Sequence, residues 1–144
     1  MPGIGSTGAG GSFVLTQRWV HDLLAFHALP LDEQEGVIGR TKPDSVELEG
    51  AAMPKTSHVS RTDLERNGSA LKLYRRSAPI GTVEEHGLYF LAFSCDPRRF
   101  QMILESMFGD IGDGLHDRLI EFSKPTSGSF YFAPSEEELS AALA

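Results

Sequence analysis

The stretch that most constrains the fold is "GLYFLAFSCDPRRFQMILESMFG", residues 87–109. It begins with "GLYFLAFS", a nearly continuous apolar run, the pattern of a central strand buried on both faces. Asp96 and Pro97 then fit the N-cap and first position of a helix. Phe100, Ile103, Leu104, Met107 and Phe108 follow at i, i+3, i+4, i+7 and i+8, one apolar stripe, and Gly109 closes it. A strand feeding straight into an amphipathic helix demands a layered fold, with the stripe packed on a sheet.

The other segments supply the rest of that sheet. "SFVLTQRW" alternates Phe13, Leu15 and Gln17 against Val14, Thr16 and Arg18, as a strand does. Val20, Leu23, Leu24 and His27 predict an amphipathic helix over 19–29, ended by Pro30. "LDEQEGVIG" predicts a second short helix with Asp32 as N-cap. Residues 40–68 show little periodicity and are punctuated by Pro43, Gly50, Pro54 and Gly68; a loop this long is usually functional or disordered. "SALKLYRRSAPIG" reads as a strand. "DGLHDRLIEFS" reads as a helix striped by Leu115, Leu119 and Phe122, and "SGSFYFAPS" as a final strand. "SEEELSAALA" reads as a tail helix in which Ser135 and Glu138 form a capping box. The order β-α-(long loop)-β-β-α-β predicts an α+β fold of the ferredoxin-like split βαβ kind, an antiparallel sheet with helices on one face. Residues 1–11 read as a flexible Gly-rich segment and 12–144 as one domain.

Composition narrows the function classes. The net charge is −7 and the pI about 5.1, which argues against a nucleic-acid-binding surface. A single cysteine, Cys95, excludes an internal disulfide and any multi-cysteine metal site. No apolar run approaches the roughly 20 residues needed to span a bilayer. "MPGIGSTGAGGS" has neither the basic nor the hydrophobic region of a signal peptide, so the expected location is cytoplasmic.

Of the five histidines, none forms an HxxxH or HExxH pair. His27 lies on an apolar stripe and reads as packed; His21 and His116 sit beside acids and read as surface residues. His86 follows two glutamates in a turn. His58, in "PKTSHVS", belongs to no periodic element, and local pattern does not separate a solvated histidine from a ligand. Two other features ask for partners. Arg75 continues the face of Leu71 and Leu73, so it must pair with an anion, line a cavity or snorkel out at the sheet's edge. Asp117 and Glu121 stand at i and i+4, a repulsive spacing on a helix. Arg118 can compensate one of them, leaving the other to accept a bond from a buried group such as an imidazole N–H.

Six blocks in order, "FVLTQRWVHDLLAFHALPLDEQEGVIGRTKPDSVELE", "SHV", "LYRRSAPIG", "GLYFLAFSCDP", "HDRLIEFS" and "SGSFYFAPS", resemble the carboxyl-terminal half of a dye-decolorizing peroxidase of the bacterial B-like subgroup. The resemblance runs from about Ser12 to Ser135. It implies a haem b peroxidase half with a ferredoxin-like fold. By the same resemblance His58 matches the proximal iron ligand. Glu121 matches the carboxylate that receives the ligand's other N–H. Arg75 matches the arginine over the distal haem face, where a fixed cation stabilises charge on the departing peroxide oxygen. Arg40, in "IGRTK", matches a position near the haem edge able to pair with a propionate. Position 77, often asparagine in the family, is Ser77 here. The family's distal aspartate lies in a GxxDG block of the amino-terminal half, and that block is not among these residues; "GDIGDG" at 109–114 falls elsewhere, between two predicted helices.

The expected function is therefore haem-dependent peroxidase chemistry: hydrogen peroxide as oxidant and dyes, phenols or other aromatic reductants as electron donors. Activity is expected to be impaired by the missing distal block. The alternative is a non-catalytic haem-binding or dimerising ferredoxin-like domain left by truncation. Either way the expected association is a homo-oligomer or pairing with a missing amino-terminal half.

Overall fold

The computed structural model describes residues 8–144. Four strands form one antiparallel sheet in the order β4-β5-β1-β6: β1 (Ser12–His21), β4 (Tyr74–Gly81), β5 (His86–Ser94) and β6 (Ser123–Ala133). The outer pair of crossovers makes this the ferredoxin-like split βαβ arrangement. The β1-to-β4 crossover carries α1 (Leu23–His27), α2 (Leu31–Ile38), α3 (His58–Thr62) and a small hairpin, β2 (Glu65–Arg66) with β3 (Ser69–Ala70). The β5-to-β6 crossover carries α4 (Arg98–Phe108), and α5 (Glu136–Leu143) ends the chain. Among the described residues no helix is long and apolar enough to cross a membrane.

The core lies between one sheet face and α4. Leu15, Ala92 and Phe100 pack as one buried cluster, and Trp19, Ile103 and Met107 as a second. The stripe read from the sequence is the face that packs, although Phe108 at its end is exposed and stacks on Trp19. Pro79 is accommodated because β4 is an edge strand, where a missing N–H costs no ladder bond.

Several expected elements differ. β1 continues through Trp19, Val20 and His21, because β5 and β6 pair with it on both sides that far; only Leu23–His27 is helical, capped by Asp22. Phe26 packs edge-on against Phe122, and His27 points outward and is exposed, not packed. Pro30, not Asp32, precedes α2 as its cap, and Asp32 sits in the first turn. The central strand β5 is not buried on both faces: Ala92 and Ser94 are buried, but Tyr89 on the other face is 43% exposed. Residues 115–122 form no α-helix, only a 3₁₀ turn over Arg118–Glu121. The supposed loop 40–68 contains α3 and leads into the hairpin, whose Asn67 and Gly68 both have positive φ, the chemistry of a tight hairpin turn.

The flexible segment expected over 1–11 lies outside the described residues for 1–7. Residues 8–11 make a turn, and the Gly8 N–H donates to the Glu138 carboxylate. Glu138 is thereby drawn away from a reciprocal capping box, and only the Ser135 hydroxyl caps α5.

Phe100 is 1% exposed at the contact of α4 with the sheet. Replacing Phe100 with Ala is expected to lower unfolding free energy by about 3–5 kcal/mol in urea titrations; a loss below about 1 kcal/mol would show that α4 does not anchor the core.

Candidate functional site

α3 is a single turn, and its position is set from two sides. Ser57 caps it: the buried Ser57 hydroxyl accepts from the Ser60 N–H at 3.1 Å. α2 presses on it through Gly39, which ends α2 with φ of 91°. A Cβ on Gly39 would lie 2.9 Å from Val59 Cβ and 3.0 Å from Ser57 Oγ, so glycine is needed for both conformation and contact. His58 is the first residue of this turn.

His58 Nδ1 lies 2.6 Å from Asp117 Oδ2, and Asp117 is fully buried. The other oxygen, Oδ1, accepts the Leu119 N–H at 2.9 Å. Both carboxylate oxygens act as acceptors, so the imidazole donates from Nδ1, and in the neutral ring that tautomer leaves the lone pair on Nε2. Asp117 is itself held by its backbone: its N–H donates to the Met107 carbonyl at 2.8 Å, and the next N–H, of Arg118, donates to the Thr56 carbonyl at 2.9 Å.

His58 lines a cavity of about 430 Å³ between the sheet, α3 and α4. That volume is within the range of small-molecule and cofactor sites. Its walls are mainly apolar, with Leu15, Trp19, Leu88, Phe90, Ile103 and Met107 among them. Arg75 lines it too: in the row Leu15–Ala92–Arg75 the register puts this arginine on the inner sheet face. Arg40 also reaches the cavity, while donating to Glu47 at 2.7 Å and to the Ser45 carbonyl at 3.0 Å. His21, expected on the surface, is a half-buried lining residue whose Nδ1 stands 2.7 Å from Ser123 Oγ. Burial, with His86 opposite it in the ladder, lowers the His21 pKa from its ordinary value.

A histidine tied at one nitrogen to a buried carboxylate, opening on an apolar cavity, is the arrangement of a metal-ligating imidazole. The sequence model of the family described as "Dyp-type peroxidase, C-terminal" matches residues 4–138. The chain belongs to the Dyp-type peroxidase family. Among curated relatives it is 36% identical to a dye-decolorizing peroxidase of Mycolicibacterium paratuberculosis over 134 residues, covering 91% of this chain and 38% of the relative. It is 38% identical to one from Mycobacterium tuberculosis, covering 88% of this chain and 39% of the relative. Among solved structures, a dye-decolorizing protein from V. cholerae superposes with a TM-score of 0.88 at 46% identity, covering 96% of this chain and 46% of that one. A DypB variant of Rhodococcus jostii RHA1, in complex with heme, superposes with a TM-score of 0.85 at 36% identity, covering 90% and 43%. This Dyp-type chain thus spans less than half the length of the relatives it matches.

The structure corrects one residue of the site. Glu121 does not reach His58; it is exposed, accepting from His116 Nε2 at 2.9 Å and lying 3.9 Å from Arg118 Nε. Asp117 takes the imidazole instead. The cause is local: 117–121 winds with about three residues per turn, so i and i+4 diverge in direction and the buried and exposed acids separate. The partition of roles expected for this acid pair is present, with the two residues exchanged. Arg61 carried no sequence signal beyond its place three residues after His58, yet it is 5% exposed and makes five polar contacts.

Asp117→Ala removes the acceptor of both the His58 and Leu119 N–H groups. Unfolding free energy is expected to fall by about 1–3 kcal/mol, read by urea titration; an unchanged midpoint would show that neither bond is made in solution.

Proposed function

We propose that this chain binds haem b in the cavity, where His58 Nε2 would hold the iron, and serves as a peroxidase module. The observation that carries the reading is the short His58–Asp117 bond at the wall of an apolar cavity. The donor set suits the group: one imidazole with a free nitrogen, apolar walls for a porphyrin face, and arginines for its anionic edge and for peroxide. When bound, haem supplies iron that takes two electrons' worth of oxidation from hydrogen peroxide and returns it to aromatic donors such as phenols or dyes.

The chain's own residues have separate tasks. Asp117 keeps the proton at His58 Nδ1 and fixes the ring's orientation, which makes Nε2 a more basic ligand. Arg75 contributes a permanent cation on the inner sheet face, where it stabilises negative charge building on the departing peroxide oxygen. Arg40 is positioned to pair with a haem propionate, an attraction reduced because Glu47 already shares its charge. None of these residues is an acid–base group for peroxide in the place of the family's GxxDG aspartate, so turnover by this chain alone is expected to be low.

A second reading is favoured by the other side of the sheet. Tyr74 and Tyr131 stand exposed at the two ends of the cross-strand row Tyr74–Phe93–Val14–Tyr131, Tyr89 stands exposed on the same face in another row, and the chain matches under half of its relatives. In that reading the chain is a haem-binding half that works paired, with a second copy or with an amino-terminal half, through this face. Sedimentation of the haem-loaded chain tests it: a complex larger than one chain is expected, and a monomer at all concentrations contradicts it.

Adding haem to the purified chain is expected to give a Soret band that is lost or strongly shifted in His58→Ala. Arg75→Leu is expected to keep the band and lower peroxide consumption by about 100-fold. No Soret band in the parent chain would overturn the proposal; a spectrum identical in His58→Ala would overturn the ligand assignment.

A further inference from the structure

Arg61 is the last basic residue of the α3 turn and among the most deeply buried charges described, at 5% exposed. His58 and Arg61 are three residues apart on one helical turn, so their side chains leave the same side. Both grip the same segment. Arg61 Nε and one terminal nitrogen donate to the Ser106 carbonyl at 2.8 and 2.7 Å, at the end of α4. The other terminal nitrogen donates to Asp113 Oδ2 at 2.6 Å, and the first also donates to the Leu115 carbonyl at 3.2 Å. Asp113 Oδ1 in turn accepts the Leu115 N–H at 3.0 Å.

These contacts bracket Asp117. Leu115 is two residues before it, and the Asp117 N–H is bonded to the carbonyl of Met107, the residue after Ser106. One guanidinium therefore spans the turn that carries the imidazole, the helix end that receives the Asp117 backbone, and the loop that delivers its carboxylate. The Arg61 guanidinium beside it also holds the Asp113 carboxyl below the usual range, so that this anchor stays charged. A buried fork of this kind over-determines a short loop which has no regular structure of its own.

Resting on the haem reading above, we propose that Arg61 is a positioning residue that fixes the His58–Asp117 distance and direction, and through them the strength of the axial ligand. It touches neither the cavity nor peroxide; it acts on the ligand by clamping the two elements that meet in that one hydrogen bond. Lysine is not a substitute, since a point-like ammonium cannot span two carbonyls and a carboxylate at once.

The test compares the parent chain with Arg61→Met, Arg61→Lys and Asp113→Asn. In the haem-free protein, the His58 Nδ1 proton is expected to give a downfield proton resonance in the parent chain that is lost or broadened in Arg61→Met. In the haem-loaded ferrous protein, the iron–histidine stretching mode is expected to move to lower frequency and broaden in Arg61→Met. Haem transfer to an apo-globin acceptor is expected to run roughly tenfold faster, the size typical of losing a ligand's supporting partner. Arg61→Lys should not restore the parent mode, and Asp113→Asn, which leaves the carbonyl bonds, should show a smaller change in the same direction. If Arg61→Met does not fold, Asp113→Asn decides. A parent-like resonance and stretching mode in either folded variant would overturn the proposal. A parent chain with no iron–histidine mode would instead overturn the haem reading, while the haem-free resonance still reports on the clamp.

Discussion

The hydrogen bond between His58 and Asp117 is the interaction on which the rest of the site depends. It runs at 2.6 Å between a partly exposed imidazole and a carboxylate removed from solvent altogether. Burying that carboxylate unpaired would cost several kcal/mol, so the fold must bring the N–H donors to it. It does so from two directions: His58 from the α3 turn in one crossover, and the Leu119 N–H from the 3₁₀ turn in the other. The bond thus joins the two connections of the split βαβ fold, segments 59 residues apart in sequence.

The architecture explains why the cavity lies where it does. The sheet offers one apolar face, and α4 covers part of it through Phe100, Ile103 and Met107. The first crossover, instead of a single long helix, is broken into short pieces that stand away from the sheet and leave room between. Arg75 stands at the exposed rim of that room, on edge strand β4, because the register Leu15–Ala92–Arg75 puts it on the same sheet face.

Much of this was legible in the sequence, because strong periodicities report packing directly. The α4 stripe, the alternation of β1 and the strand order are all dictated by which residues must be apolar on which face. What failed were decisions that tertiary contacts make. The segment 19–21 is helical by spacing, but pairing with two neighbouring strands overrides a marginal pattern. His58 looked isolated because α3 is one turn long, too short to show a period, although its Ser57 cap was there to be read. The Asp117–Glu121 spacing shows that one acid needs a partner, yet which acid turns on a 3₁₀ winding that spacing alone does not reveal. Arg61 was invisible because nothing local distinguishes a buried arginine from a surface one.

The family membership rests on sequence and fold; the role proposed for His58 rests on the resemblance and on its bond to Asp117. The measurement that tests that role most directly is a crystal structure of the chain loaded with haem. The account predicts continuous density from iron to His58 Nε2, with Asp117 still within hydrogen-bond distance of Nδ1. Iron bound instead by His21, the other imidazole lining the cavity, or haem lying outside the cavity, would contradict it.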